Sequence, residues 1–265
     1  MTIPFYQVTA FRRSVFGGNQ ACVMPMESWL SDDLLLHIAQ ENVVAETAYL
    51  KHLDQGVYAL RWFTPDLEMD LCGHATLASA HVVLNHLEPQ LDKVEFDTQS
   101  GRLVVTRSAH GLDMALPNRA PNSAQLPRAL AESLNKPPLE VHLARDFMLV
   151  YASQQDVEQF DVDRALFDRT DLGTGGVIVT APGEDCDFVS RFFTPQATIL
   201  EDPVTGSAHC TLAPYWSERL GKTVMQARQL SARRGELRCE MKEDHVQVSG
   251  QATTYLEGTV HLNQT

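Results

Sequence analysis

Two glycines in similar surroundings are the first residues that suggest chemistry. Gly73 and Gly206 each follow a strand-like segment, a Thr-Pro break and a loop with acidic residues, and each opens an apolar stretch with helical spacing. Such a position predicts a helix N-terminus, whose backbone N–H groups attract an anion. Taken singly, either glycine could simply permit a tight turn. Their repetition favours one shared site for a carboxylate-sized group.

Three side chains near these glycines could polarise a substrate. His74 directly follows Gly73, Asp202 precedes Gly206 by four residues, and Ser207 takes the place of His74 in the second copy. An imidazole and a carboxylate that face one substrate can polarise it while a third group moves a proton. The plainer alternatives are a turn acid at Asp202 and residues that merely suit a helix start at the other two positions.

Glu46 is the candidate for the group that moves the proton. It stands in the predicted strand Val43–Leu50, which is otherwise largely apolar. An acid in a strand is most often a solvated side chain. The functional alternative is a carboxylate that burial makes basic enough to exchange a proton with a substrate. The pattern alone leaves both interpretations open.

Metal and nucleotide sites have little support in the sequence. The residues that suggest a metal lack the C-x-x-C or H-E-x-x-H spacing that places ligands on one face; they are Cys72, His74, His81, His209 and Cys210. No P-loop or G-x-G-x-x-G segment is present. We therefore expect no metal and no cofactor.

The elements that must position these residues occur twice. Arg61 and Arg191 each begin an Arg-aromatic-Phe-Thr-Pro segment and are 130 residues apart, and Gly73 and Gly206 are 133 residues apart. A repeat of half the chain that keeps its order of strand, loop, helix and hairpin predicts duplication. We therefore expect an α+β protein with two pseudo-symmetric lobes and a ligand site in the cleft between them.

A proline-rich stretch separates the predicted lobes. Residues 117–127 contain three prolines, two asparagines and a serine, a composition typical of a linker. We place the N-terminal lobe at residues 1–118 and the C-terminal lobe at residues 119–265, with a final strand at about 254–265 that returns to the first lobe.

Composition excludes several classes of function. The chain has 265 residues and a formal net charge of −13, without a basic cluster, which argues against nucleic acid or an anionic membrane as a partner. Its apolar runs are far shorter than the roughly 18 residues of a membrane span. The start of the sequence lacks the basic and apolar regions of a signal peptide, and five scattered cysteines are typical of reduced thiols. We expect a cytoplasmic location.

A spaced set of segments over nearly the whole chain resembles the PhzF-like phenazine biosynthesis family. The C-terminal portion is similar to the subgroup that includes the animal phenazine biosynthesis-like domain proteins. The segments are Gly18-Asn19, Ala45-Glu-Thr-Ala48, Arg61-Trp-Phe-Thr-Pro65, Leu71-Cys-Gly-His-Ala-Thr-Leu-Ala78, Gln99-Ser-Gly101 and Glu201-Asp-Pro-Val-Thr-Gly-Ser-Ala-His209.

The resemblance implies a fold and a set of roles. It implies the diaminopimelate-epimerase-like fold, in which each of two lobes wraps a sheet around a central helix, and usually a homodimer. It also implies isomerase chemistry without metal or organic cofactor. Glu46 then matches the proton-transferring glutamate, and His74, Asp202 and Ser207 match residues that contact the substrate.

The chain departs from relatives of this fold at informative places. The epimerases and racemases use one cysteine from each lobe, and here Cys72 occupies the first place but Thr205 the second, which argues against a two-thiol racemase. Gln20 stands where relatives commonly have proline, and Ala45 where they have serine before the glutamate. These changes affect the expected pocket without removing the acid.

The leading hypothesis is a cofactor-independent isomerase that moves a proton on a small carboxylated metabolite. Glu46 would carry the proton, His74 and Asp202 would orient and polarise the substrate, and Gly73, Gly206 and Ser207 would bind its carboxylate. One alternative is an amino-acid epimerase that uses Glu46 with Cys72. Another is a non-catalytic ligand-binding protein of the same fold.

Overall fold

The computed structural model describes residues 1–14 and 16–262. They fall into two compact units. The first consists of Met1–Ala115 together with the C-terminal segment from Val248, and the second of Leu116–Gln247. The proline-rich stretch at residues 117–127 begins just after the boundary at Leu116.

Strands dominate the described chain. In chain order they are β1 (Thr2–Ala10), β2 (Asn19–Met26), β3 (Glu46–Asp54), β4 (Val57–Phe63), β5 (Glu68–Met69), β6 (Lys93–Thr98), β7 (Gly101–Ser108), β8 (Gly111–Pro117), β9 (Asn122–Ser123), β10 (Glu140–Leu143), β11 (Phe147–Val150), β12 (Val177–Pro182), β13 (Phe188–Phe193), β14 (Glu201–Asp202), β15 (Val224–Gln229), β16 (Gly235–Met241), β17 (His245–Gly250) and β18 (Ala252–His261).

The helices are fewer and shorter. They are α1 (Asp32–Asn42), α2 (Gly73–Val82), α3 (Arg128–Ser133), α4 (Gln154–Glu158), α5 (Arg164–Phe167) and α6 (His209–Leu220). A π-helical turn, Val83–Leu87, continues α2, and a 3₁₀ turn, Gly206–Ala208, leads into α6. Within the described part of the chain, no helix combines the length and apolarity needed to cross a membrane.

The first unit is a sheet around the buried helix α2. Strand β1 pairs antiparallel with both β2 and β18, β2 runs parallel to β3, and β3 runs antiparallel to β4. Strand β4 then pairs antiparallel with β5 and parallel with β6. Nine of the ten residues of α2 are buried, His81 being the exception. A helix that is buried on all sides is a core element, and the packing around it holds its first turn in place.

The second unit repeats the same pairing. Strand β11 runs parallel to β12, β12 antiparallel to β13, and β13 pairs antiparallel with β14 and parallel with β15. Helix α6 packs Trp216 into the core, where its indole Nε1 donates to Thr180 Oγ1 at 2.9 Å and its ring stacks on Phe188. The predicted α+β class, with a central helix in each unit, is confirmed.

An arginine clamp occurs at the same place in both units. Arg61 donates two hydrogen bonds to Glu68, each of 2.7 Å, and Arg191 donates two to Glu201, of 2.7 and 3.0 Å. Each bidentate pair ties the end of one strand to the short strand that follows the Thr-Pro break. The clamps therefore hold the loops that precede Gly73 and Gly206.

Two sequence-based boundaries need correction. Glu46 is the first residue of β3 rather than the middle of a strand, because Val43 adopts a left-handed conformation (φ 51°) that ends α1. The final strand runs over Ala252–His261 and pairs with β1, so it belongs to the first unit. The predicted strand extended to residue 265, and residues 263–265 lie outside the described part of the chain.

We expect Gly18→Ala to be strongly destabilising. Gly18 has φ +79°, and an added Cβ would lie 2.4 Å from Ala10 O and 2.9 Å from Arg12 Cα. The left-handed backbone costs about 1–2 kcal/mol for alanine, and the clash adds about 1–3 kcal/mol. Chemical denaturation measures the free energy of unfolding.

Gly173→Ala is the matched control for Gly18→Ala. Gly173 also has positive φ (+59°), but nothing lies within 4 Å of an added Cβ. It should therefore lose only the conformational part, about 1–2 kcal/mol. Equal losses for the two variants would show that the close approach at Gly18 does not matter.

Candidate functional site

The N-terminus of α2 forms the base of the candidate site in the first unit. Cys72 precedes the helix in an extended conformation, and its side chain makes no capping hydrogen bond. The first turn contains no acidic residue, although an acid is the usual partner of helix N–H groups. Thr76 Oγ1 donates to Cys72 O at 2.5 Å, and this hydrogen bond uses none of the N–H groups of the turn. The start of α2 can therefore accept an anionic group.

His74 lies in this first turn and is contacted at both ring nitrogens. Its side chain is almost fully buried. On one side of the ring, Nδ1 is 3.0 Å from Asn19 Nδ2 and 3.6 Å from Cys72 Sγ. On the other side, Nε2 is 3.0 Å from Glu46 Oε2. The imidazole therefore contacts both the carboxylate and the thiol.

The contact between Glu46 and His74 is close but not aligned. The two side chains are only 12% and 2% exposed, and Glu46 Oε2 and His74 Nε2 have no aligned hydrogen-bond partner among the described residues. Buried polar atoms are nearly always hydrogen-bonded, because leaving one unpaired costs roughly 1–3 kcal/mol. Two such atoms 3.0 Å apart are typical of functional sites, which makes Glu46 and His74 the candidate site of the first unit.

Burial and charge set the protonation states here. Burial, with the Glu46 carboxylate as a further cause, raises the pKa of the Cys72 thiol to about 11, so the sulfur is neutral at pH 7. Burial alone would lower the pKa of His74, but its neighbours Cys72 and Glu46 outweigh burial and raise that pKa well above its ordinary value. Since the thiol is neutral at pH 7, we attribute the raised pKa to Glu46.

The same three residues could be considered as metal ligands. Glu46, Cys72 and His74 each offer one ligand atom, and these atoms lie within 4.8 Å of one another. However, the ring nitrogen near Glu46 is Nε2 and the one near Cys72 is Nδ1, so neither nitrogen faces both other ligands. A zinc site needs its ligand atoms to converge on one point. The arrangement suits proton transfer better, and the absence of a metal stays a prediction.

The second unit brings together the other group of predicted residues. Asp202 is in β14, Gly206 starts the 3₁₀ turn before α6, and the half-buried Ser207 follows it. Thr205 precedes this turn and donates from Oγ1 to Asp202 Oδ2 at 2.5 Å. Thr205 thus holds the Asp202 carboxylate in place.

Gln229, which the sequence did not single out, organises this turn. The side chain is buried, and its Nε2 donates to Asp202 O at 2.8 Å and to Thr205 Oγ1 at 3.1 Å. Its Oε1 accepts from Thr205 N at 2.7 Å. Since Gln229 donates to the Thr205 hydroxyl and that hydroxyl donates to Asp202, Thr205 is a support and not a free acid or base. Asn19 was also missed as a site residue, although Gly18-Asn19 is one of the segments that carry the family resemblance. No local pattern marks Gln229.

The two units are unequal at the position of Glu46. Thr47 pairs with Phe63 as Val177 pairs with Phe193, so Gly176 occupies in the second unit the place of Glu46 in the first. A Cβ at Gly176 would lie 2.4 Å from Phe192 Cζ. The second unit therefore has no room for a counterpart of Glu46.

Comparisons with known proteins match nearly the whole chain. The model of the family described as phenazine biosynthesis-like protein matches residues 8–258. An uncharacterized isomerase of Pseudomonas aeruginosa is 44% identical over 262 residues, which cover 99% of this chain and 100% of that protein. The human phenazine biosynthesis-like domain-containing protein is 34% identical over 288 residues, which cover 98% of this chain and 99% of that protein.

Solved structures match over the same length. A phenazine biosynthesis protein of the PhzF family from Enterococcus faecalis has a TM-score of 0.91 and 41% identity, covering 99% of this chain and 100% of that one. Solved structures described as a hydroxyproline epimerase and a probable proline racemase also match, with TM-scores of 0.67 but identities of only 10% and 12%, which supports the fold alone. The predicted resemblance is confirmed, and the chain belongs to the PhzF-like phenazine biosynthesis family.

Proposed function

We propose that the protein is a cofactor-independent isomerase that moves a proton on a small carboxylated metabolite. The observation that carries the proposal is the buried contact of 3.0 Å between Glu46 Oε2 and His74 Nε2 at the start of α2, where neither atom has an aligned partner among the described residues. A base beside a hydrogen-bond donor is what C–H proton abstraction requires. Relatives named as isomerases support the reaction class.

The proposed reaction needs one base. The Glu46 carboxylate takes a proton from a substrate carbon, so that an O–H bond forms and the C–H electron pair delocalises into the substrate. His74 donates a hydrogen bond where negative charge develops. Glu46 then returns the same proton to another carbon. No redox partner is required, because the substrate and product have the same atoms and electrons.

Binding of the carboxylate is assigned to helix starts. No residue of the first turn of α2 is acidic, and the turn offers backbone N–H groups to an anion. We propose that Gly73, Gly206 and Ser207 bind the substrate carboxylate and that Asp202, held by Thr205, orients the amine or hydroxyl region. Homodimerisation and a cytoplasmic location are further predictions that rest on the sequence.

The two alternatives have weaker support. An epimerase that uses Cys72 with Glu46 would need a thiol that ionises, but burial raises the pKa of Cys72 to about 11. The thiol also lies within 4.8 Å of the Glu46 carboxylate, which leaves no room for a substrate carbon between the two groups. A non-catalytic binding protein would gain nothing from burying a carboxylate and an imidazole without aligned partners, since both lose hydration.

Glu46→Gln should abolish proton exchange. The first step is a thermal-shift screen of small carboxylates, which identifies a compound that raises the Tm. The protein is then incubated with that compound in D₂O, and NMR follows deuterium incorporation into its C–H positions. Removing the base should slow exchange at least about a hundredfold.

The matched control for this substitution is Glu41→Gln. Glu41 is an exposed residue of α1, and the change removes the same charge outside the site. It should leave exchange unchanged. Full exchange in Glu46→Gln would remove Glu46 from the proposed role.

Glu46→Gln should also lower the pKa of His74. Without the Glu46 carboxylate, burial dominates, and burial disfavours the imidazolium. His74 should then lose its proton at a lower pH than in the unaltered protein. An NMR titration of ¹⁵N-histidine-labelled protein measures both midpoints, with the exposed His37 as internal control. A midpoint that does not fall would show that Glu46 does not hold the proton on His74.

Cys72→Ala should retain proton exchange to within about tenfold, because the thiol is neutral and takes no part in the proposed proton transfer. The assay is deuterium incorporation into the same compound, together with chiral analysis of the product. A loss of more than a hundredfold, with inversion at a stereocentre in the unaltered protein, would instead establish the epimerase that uses Cys72.

A further inference from the structure

We propose that Asn19 is a positioning residue that keeps the proton of neutral His74 on Nε2, the ring nitrogen that faces Glu46. The inference deepens the proposed function, on which its catalytic meaning rests, since it assigns His74 the role of a donor. Its test requires no substrate, however, so the inference can fail while the proposed function stands.

The geometry of the Asn19 amide carries the argument. Asn19 is fully buried, and its Nδ2 lies 3.0 Å from His74 Nδ1. In this orientation the amide nitrogen donates, and Nδ1 of a neutral ring accepts with its lone pair. In a neutral imidazole with one accepting nitrogen, the proton is on the other nitrogen. The proton therefore lies on Nε2.

The opposite side of the ring requires the same tautomer. Turning the Asn19 amide over would present an oxygen to Nδ1 and would place the proton there. In a neutral ring, Nε2 would then turn a lone pair toward Glu46 Oε2 at 3.0 Å, so that two acceptors would face each other in a buried site. That arrangement is repulsive, so the amide orientation and the carboxylate agree.

Cys72 adds a second donor on the Nδ1 side. Its Sγ is 3.6 Å from Nδ1, and the sulfur carries its proton at neutral pH. The titratable groups that face the ring are thus Cys72, from the residue before α2, and Glu46, from β3. Donors lie at Nδ1 and an acceptor lies at Nε2.

The sheet holds Asn19 in position. Asn19 begins β2, pairs with Ala10 of β1, and lies two residues before Ala21, which pairs with Glu46 in the parallel strand β3. The same pairing therefore sets the places of Asn19 and Glu46, on the two sides of the His74 ring. Because a fixed backbone leaves a short side chain few rotamers, the amide is preorganised.

Glu46 and His74 therefore have different roles in the proposed reaction. With its proton on Nε2 in the neutral as well as the charged ring, His74 can donate to a substrate atom or to Glu46, but it cannot accept a proton on that side. Glu46 is then the base, and His74 stabilises charge.

The test is a tautomer measurement on the full chain. Protein labelled with ¹⁵N-histidine is titrated, and two-bond ¹H–¹⁵N correlation spectra above the His74 midpoint show which nitrogen carries the proton in the neutral ring. The His74 signal is identified by its loss in His74→Gln. We expect a protonated Nε2 and a bare Nδ1. A proton on Nδ1 would overturn the proposal even if Glu46→Gln abolishes exchange.

Asn19→Asp provides the second measurement. This nearly isosteric change replaces the donor at Nδ1 with an acceptor, which stabilises the imidazolium, so the proton affinity of His74 should rise roughly tenfold or more. Asn42→Asp is the control, because this substitution adds the same charge in the same unit. The Asn42 amide donates to Thr47 Oγ1 and not to His74 Nδ1. An Asn19→Asp midpoint that moves no further than the control midpoint would contradict a direct contact with Nδ1.

Discussion

The contact between a carboxylate and an imidazole inside the first unit is the constraint on which the rest of the site depends. Glu46 and His74 are both removed from water, and a buried charge costs several kcal/mol unless neighbouring groups compensate it. Only a rigid surrounding structure can hold such a pair. The strand that begins at Glu46 and the fully packed first turn of α2 supply that rigidity.

The same frame is used for different chemistry in the two units. Arginine clamps, strand order and helix starts correspond, but the side chains at equivalent positions do not. Gly176 stands at the position of Glu46 and leaves no room for a side chain, while the Thr205 hydroxyl is held between Gln229 and Asp202. The first unit therefore holds a buried carboxylate beside an imidazole, whereas the second unit presents a carboxylate fixed by Thr205. The division follows from packing, since the atoms around Gly176 already fill the space that an acid would need.

The sequence predicted the elements better than the contacts. The repeated segments around Arg61 and Arg191 located both helix starts, because glycine, proline and apolar spacing act locally along the chain. Glu46 was found as a candidate but was placed within a strand instead of at its first residue, because a left-handed Val43 has no sequence signal. Asn19 and Gln229 were not predicted as site residues at all. Their roles come from hydrogen bonds to residues 55 and 24 positions away, which only the folded chain brings together.

A site with one buried base and a fixed donor favours a particular kind of proton transfer. Inversion at a carbon requires a second acid on the opposite face of the substrate, and the thiol of Cys72 lies within 4.8 Å of the Glu46 carboxylate, too close for a substrate carbon to lie between them. Glu46 and the Nε2 side of His74 are adjacent, so a proton that leaves toward Glu46 returns from the same side. Delocalisation of the electron pair in an unsaturated or carbonyl-containing substrate then decides where the proton returns. The chemistry that this pair of side chains suits is thus movement of a proton along one face, and stereochemical inversion would need a base that the first unit does not place there among its described residues.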